Sequence, residues 1–236
     1  TKISKRKNPV SLDYYREEGY LQEAMLNFLA LMGYSLKEDR EKFSIDEMIG
    51  EFTWDRVKTS GPVFDIEKLD WLNGEYIREL EPSELLEKIL AEPYTEHTDE
   101  NTDKLLGIVE LIQERIETLA EFDEATNFFF EAEDYDADLL VPKKQSPELA
   151  LDVVNCLKET FEDVDDWQAE TLERTTRGLC DESEWKTGWI FMPLRIALTC
   201  RKVSTPMFRT MEILGKKECM ERFDTAIEKA ESLIQN

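Results

Sequence analysis

The sequence predicts an all-α fold, or one close to it, and three observations carry that prediction. Apolar residues return every three or four positions in one segment after another. Serine, aspartate, proline and glycine stand at the ends of those segments, where helices start and stop. The alternation that a half-buried strand needs is nearly absent.

Ser11 is placed to cap a short helix that runs to residue 18, with Gly19 as its left-handed stop. A second helix follows over 20–32, closed by Gly33. Its Leu21, Met25, Phe28 and Leu29 repeat at helical spacing, and Ala24, Leu31 and Met32 widen the stripe until most sides are buried. Ser44-Ile45-Asp46-Glu47 is a capping box that opens a third helix through Ile49. Ser60-Gly61-Pro62 is a turn. Asp65 caps a helix carrying Ile66, Leu69 and Leu72, with Asn73-Gly74 as its expected stop. Pro82 sits in the first turn of the next helix, which bears Leu85, Leu86, Ile89 and Leu90.

The polar stretch 92–101 contains Pro93 and reads as a hinge between two domains, 1–93 and 94–236. A long helix is expected over 102–119, with Leu105, Leu106, Val109, Ile112, Ile116 and Leu119 on one side. Phe128-Phe129-Phe130 forms an apolar patch before an acidic loop and a turn at Val141-Pro142. Ser146-Pro147 opens the next helix, and others are expected over 165–179 and 187–200. Thr205-Pro206 opens another that ends at Gly215, and the last spans 216–234.

The chain has 236 residues, enough for one large or two modest domains, and 41% of them are hydrophobic, so a core forms without staples. No apolar run reaches the length of a membrane span, and no signal-peptide pattern opens the chain. Four cysteines without C-x-x-C spacing and a single histidine, His97, argue against a zinc site, so no metal is expected. Scattered thiols fit a reducing cytoplasm. The first residue is Thr1, not Met, which suggests a piece of something longer. Carboxylates are too common for any pair to signal acid–base chemistry, and no glycine-rich phosphate loop is present.

The formal charge of −24, from 29 basic and 53 acidic residues, argues against nucleic-acid binding when taken whole. The charge is uneven, however. From Glu79 to Asp138 there are 20 acidic residues against Lys88, Lys104 and Arg115. From Lys186 to Lys217 seven basic residues face only Glu212. A second basic cluster opens the chain at Lys2-Ile3-Ser4-Lys5-Arg6, where ammonium groups, a hydroxyl and backbone N–H groups suit an anion. A polyanion steered to the two basic ends is one reading, and a solvated surface of mixed charge is the other.

Lys2-Ile3-Ser4-Lys5-Arg6 resembles the second signature motif of class I aminoacyl-tRNA synthetases, in the form typical of the bacterial-type glutamyl branch. Glu17-Glu18-Gly19-Tyr20-Leu21 and Ala24-Met25-Leu26-Asn27-Phe28-Leu29-Ala30 are similar to that family's helices after the motif. Phe64-Asp65-Ile66-Glu67-Lys68-Leu69-Asp70-Trp71-Leu72-Asn73 resembles its most recognisable downstream block. Met192-Pro193-Leu194-Arg195-Ile196-Ala197-Leu198-Thr199, Thr205-Pro206 and Leu214-Gly215-Lys216-Lys217-Glu218 resemble its last anticodon-binding helices. The resemblance runs through essentially the whole chain in order.

The resemblance implies a stem-contact domain over 1–93 and a helical anticodon-binding domain over 94–236, from an enzyme that activates glutamate with ATP and Mg²⁺ and attaches it to tRNA(Glu). The family's Rossmann catalytic half is missing, so the fragment alone is expected to be inactive and to hold no cofactor. A cytoplasmic monomer is implied. Lys5 matches the motif lysine that neutralises the ATP phosphates, supported by Lys2, Ser4 and Arg6. Arg115 matches the arginine with which discriminating members read the third anticodon base, and a surface ion pair within a glutamate-rich helix is its bland alternative. Arg195, Thr205 and Phe208 match residues that meet the anticodon. Ile3 departs from the usual Met or Leu, Cys200 stands where many relatives have glycine, and Met207-Phe208 replaces a Gly-Leu pair. The competing function class is an acidic helical protein-interaction module that binds no RNA.

Overall fold

Short polar caps and buried cross-links set the helix limits. The computed structural model describes residues 11–36, 40–58, 61, 63–91 and 94–235. Lys2, Ser4, Lys5 and Arg6 lie outside them, as do Ser60, Pro62 and Pro93. Among the described residues there are eleven α-helices and no sheet, with one isolated antiparallel bridge between Tyr34 and Val57. The all-α expectation holds. Two compact units divide between Ala125 and Thr126.

In the first unit, α1 (Leu12–Glu17) is capped by Ser11, whose Oγ accepts from the Asp13 N–H. Gly19 follows at φ +81°, and its carbonyl accepts the Leu119 N–H at 3.0 Å. A Cβ there would sit 2.5 Å from the Ala120 nitrogen, so the approach of the two backbones requires glycine. Helix α2 (Gln22–Gly33) buries Met25 and Phe28 with Tyr15 against Leu69 and Leu72 of α4 (Ile66–Glu79). Between them lies α3 (Ile45–Glu51), where both bonds of the Ser44–Glu47 capping box form.

Two expected helix ends move, for one reason. Helix α4 does not stop at Asn73-Gly74 but continues to Glu79. Asn73 is fully buried and serves as a cross-link: Oδ1 accepts the Leu21 N–H at 2.8 Å, and Nδ2 donates to the Glu117 carbonyl at 2.5 Å. After α5 (Pro82–Ala91), helix α6 (Thr102–Ile112) ends well before residue 119. Buried Gln113 turns its amide onto the Ile77 and Leu80 carbonyls, at 2.9 and 2.7 Å, satisfying acceptors at the end of α4. Segment 113–119 is thus pinned by α4 and Gly19. Helix α7 is Glu121–Thr126.

The second unit contains α8 (Pro147–Glu162), α9 (Ala169–Glu182), α10 (Thr187–Thr199) and α11 (Met207–Ile234). Pro147 opens α8 as expected, although Ser146 makes no side-chain cap bond. Val153, Leu157 and Phe161 of α8 meet Leu194 and Leu198 of α10 and Met211, Phe223 and Ala226 of α11 in one core. Phe161 and Phe223 stack at 5.9 Å. The two helices expected on either side of Gly215 are present as one element broken there, at φ 80° and ψ 159°. Left-handed backbone costs glycine little, which is why that break was legible.

Candidate nucleic-acid interface

The second unit's basic stretch begins just before α10 and ends just after Gly215. Most of its charge is spent internally. Arg201 pairs with Glu133 and Arg209 with Glu212, each at 2.5 Å, and Lys217 lies 3.5 Å from Glu221. Lys216 donates to the Glu162 and Val164 carbonyls, both at 2.8 Å, beyond the end of α8. Arg195 and Lys202 make no ion pair with a carboxylate among the described residues, although the whole chain carries a charge of −24.

These two cations share a cavity of about 220 Å³, lined by Gly188, Phe191, Met192, Arg195, Ile196 and Lys202. Helical spacing supplies most of it, since residues 188, 191, 192 and 195 fall on one face of α10. Cys200 supplies the rest. At φ +58° it ends α10 in the left-handed conformation and turns the chain back, so that the Lys202 carbonyl accepts from Arg195 Nη1 at 3.4 Å. Arg195 Nε is buried with no hydrogen-bond partner. Phe208, on the first turn of α11, meets Phe191 edge-on at 5.9 Å. Lys186 Nζ lies 5.2 Å from the Trp189 ring centre.

Thr205 sits elsewhere in the arrangement. It is buried, and its hydroxyl shares a 2.6 Å hydrogen bond with Thr210, whose Oγ1 also donates to the Pro206 carbonyl. Its visible work is to fix the start of α11. Arg115, in the first unit, is exposed in the turn after α6, with its N–H on the Ile112 carbonyl. No carboxylate pairs with it among the described residues, and positions four residues away are Leu111 and Leu119. Phe191 and Lys202 were not among the expected site residues. The repeat Gly188, Phe191, Arg195 at helical spacing was the available signal.

A concave patch with aromatic faces, a guanidinium lacking an anion and a nearby ammonium suits an unstacked base and its phosphate. The family model for the anticodon binding domain matches residues 82–227. That for the catalytic domain of class I tRNA synthetases (E and Q) matches residues 1–71. Glutamate–tRNA ligase of Thermus thermophilus is 39% identical over 234 residues, covering 96% of this chain and 48% of that protein. The chain belongs to the anticodon binding domain family. A second relative, glutamate–tRNA ligase of Psychrobacter cryohalolentis, is 38% identical over 97% of this chain and 44% of its own length. The solved glutamate tRNA ligase from Elizabethkingia meningosepticum superposes with a TM-score of 0.80 at 32% identity, over 91% of this chain and 42% of that one. The chain spans about half the length of the curated relatives it matches. The family's anticodon-binding match includes Arg115, Arg195, Thr205 and Phe208, and it begins in α5, ahead of the division between compact units.

Proposed function

We propose that the chain is the tRNA-binding portion of a glutamate–tRNA ligase, an enzyme that activates glutamate with ATP and Mg²⁺ and attaches it to tRNA(Glu). The observation that carries this reading is the Arg195 and Lys202 pocket: two cations without carboxylate partners beside Phe191, inside residues that match an anticodon-binding domain. Residues 1–93 act as the stem-contact domain and 94–236 as the anticodon-binding domain. Phe208 offers a ring to an anticodon base, Thr205 holds the turn that presents it, and Arg115 reads the third base. Lys5, with Lys2, Ser4 and Arg6, neutralises ATP phosphates in the complete enzyme. That enzyme works in the cytoplasm as a monomer, and its catalytic domain precedes these residues. The chain alone forms no glutamyl-adenylate.

An acidic protein-interaction module is not favoured, since it gives no reason for two unneutralised cations beside aromatic rings. Filter binding tests the choice. The chain should bind tRNA(Glu) more tightly than a tRNA with an unrelated anticodon, and Arg195→Ala should weaken tRNA(Glu) binding by about tenfold. Equal affinity for both tRNAs, or no salt-dependent binding at all, would refute the reading.

A further inference from the structure

We infer that Trp54, backed by Phe52 and flanked by Arg56, is a second RNA contact that stacks on one unpaired nucleotide and holds its phosphate. The inference rests on the RNA-binding reading above but concerns residues of the first unit to which that reading gives no role.

Trp54 stands at the start of a 3-10 turn, Trp54–Arg56, and is 81% exposed. Its mount is rigid. Tyr34, almost fully buried, stacks on Phe52 at 5.2 Å, and Phe52 meets Trp54 edge-on at 5.3 Å. The Tyr34 hydroxyl donates to the Glu51 carbonyl at 3.1 Å and accepts the Thr53 N–H at 2.9 Å, so both residues flanking Phe52 are tied to the same ring. The Tyr34–Val57 bridge closes the turn. Three rings thus step from the interior to the surface, and a flat indole is offered to solvent without needing to be ordered on binding.

Several cations of this unit are neutralised by carboxylates. Arg40 pairs with Glu47, Lys42 with Glu79, Lys68 with Glu41 and Arg78 with Glu75. Arg56 makes no ion pair among the described residues, and its Nη1 is sheltered with no hydrogen-bond partner. Among the described residues, the Lys58 ammonium donates to the Leu31 carbonyl at 3.3 Å and makes no ion pair. A purely apolar partner over Trp54 would offer no anion to the guanidinium two residues on in the same turn. A nucleotide supplies both a planar face and a phosphate. A paired stem supplies phosphates but no free base face, so the ligand is an unpaired nucleotide of the tRNA.

Affinity for a tRNA(Glu) transcript, measured by fluorescence anisotropy on the whole 236-residue chain, tests this. Trp54→Ala should weaken binding about tenfold, and Trp54→Phe should stay within about threefold. Arg56→Ala should weaken binding and reduce the salt slope by about one. Because Trp54 is exposed, helical content should not change. If Arg195→Ala weakens binding and Trp54→Ala does not, the inference fails while the proposed function stands. If the parent chain binds no RNA, the proposed function fails and takes the inference with it. A fully paired RNA duplex that competes as well as the tRNA, or Trp54-dependent self-association without any change in RNA affinity, would also overturn it.

Discussion

Arg222 Nη1 donates to the Leu198 carbonyl oxygen at 2.5 Å, joining the middle of α11 to the last turn of α10. Carbonyls in a last helical turn have no partner within their own helix, and this one is satisfied by a guanidinium that is only 3% exposed. Arg222 Nε is held by Glu218 at 2.7 Å. The bond lies two residues before left-handed Cys200, so Arg222 supports the turn that returns Lys202 to Arg195.

Arg222→Ala should therefore destabilise the chain by about 3 kcal/mol, combining a lost charged hydrogen bond with a cavity. Arg222→Met should lose roughly half as much, because it refills the volume and removes a buried Nη2 that has no partner. Urea-unfolding midpoints of the two variants give the comparison. Equal losses would mean that the volume contributes nothing.

At Cys200 the backbone matters more than the thiol. Burial pushes that thiol above its usual range, which keeps it a weak nucleophile. The φ of +58° is what a side chain resists. Cys200→Gly should leave stability within about 0.5 kcal/mol, with relief of strain offset by lost packing and a freer unfolded chain. Cys200→Val, β-branched in the same conformation, should cost about 1–2 kcal/mol. Thermal unfolding of both variants checks the pair. A valine variant as stable as the glycine variant would show that the turn relaxes out of the left-handed region.

The contrast between Cys200 and Gly215 explains what could be read in advance. Features written in adjacent residues were legible: the Ser44–Glu47 box, the Asp65 cap, and the breaks at Gly19 and Gly215. Features that depend on a distant partner were not. Asn73 looks like a helix stop until Leu21 and Glu117 are found on its amide. Residues 113–119 continue a helical apolar pattern, yet Gln113 leaves the helix to satisfy α4. The polar stretch 92–101 reads as a hinge, and the compact units divide between Ala125 and Thr126. Tyr94 donates to the Arg16 carbonyl in the last turn of α1 and Leu119 to that of Gly19, tying the following segment back to the connection between α1 and α2. The same limit applied to the interface. Arg195 and Phe208 came through the family resemblance, whereas the return of Lys202 depends on a left-handed cysteine that no local rule predicts.

Glu121 carries a pH dependence whose sign runs opposite to the usual carboxylate. Burial raises its pKa, and the neighbouring charges of Glu117, Asp70 and Glu124 add to that, against a lowering by the Glu117 N–H. The folded chain thus holds this proton more tightly than the unfolded chain does. Its contribution favours folding below the ordinary value of 4.5 and is lost as pH rises through the raised folded value. Near neutral pH the ionised group is a net cost. Glu121→Gln removes the charge and keeps an oxygen to accept the Glu117 N–H, now at 3.0 Å. The side chain is half-exposed and screened, so the expected gain at neutral pH is only roughly 0.5 kcal/mol. Urea midpoints of variant and parent, compared at neutral pH and below pH 4.5, should show that gain shrinking as Glu121 protonates. A difference that grows on acidification would mean that Glu121 is stabilised as the anion, with the Glu117 hydrogen bond outweighing burial.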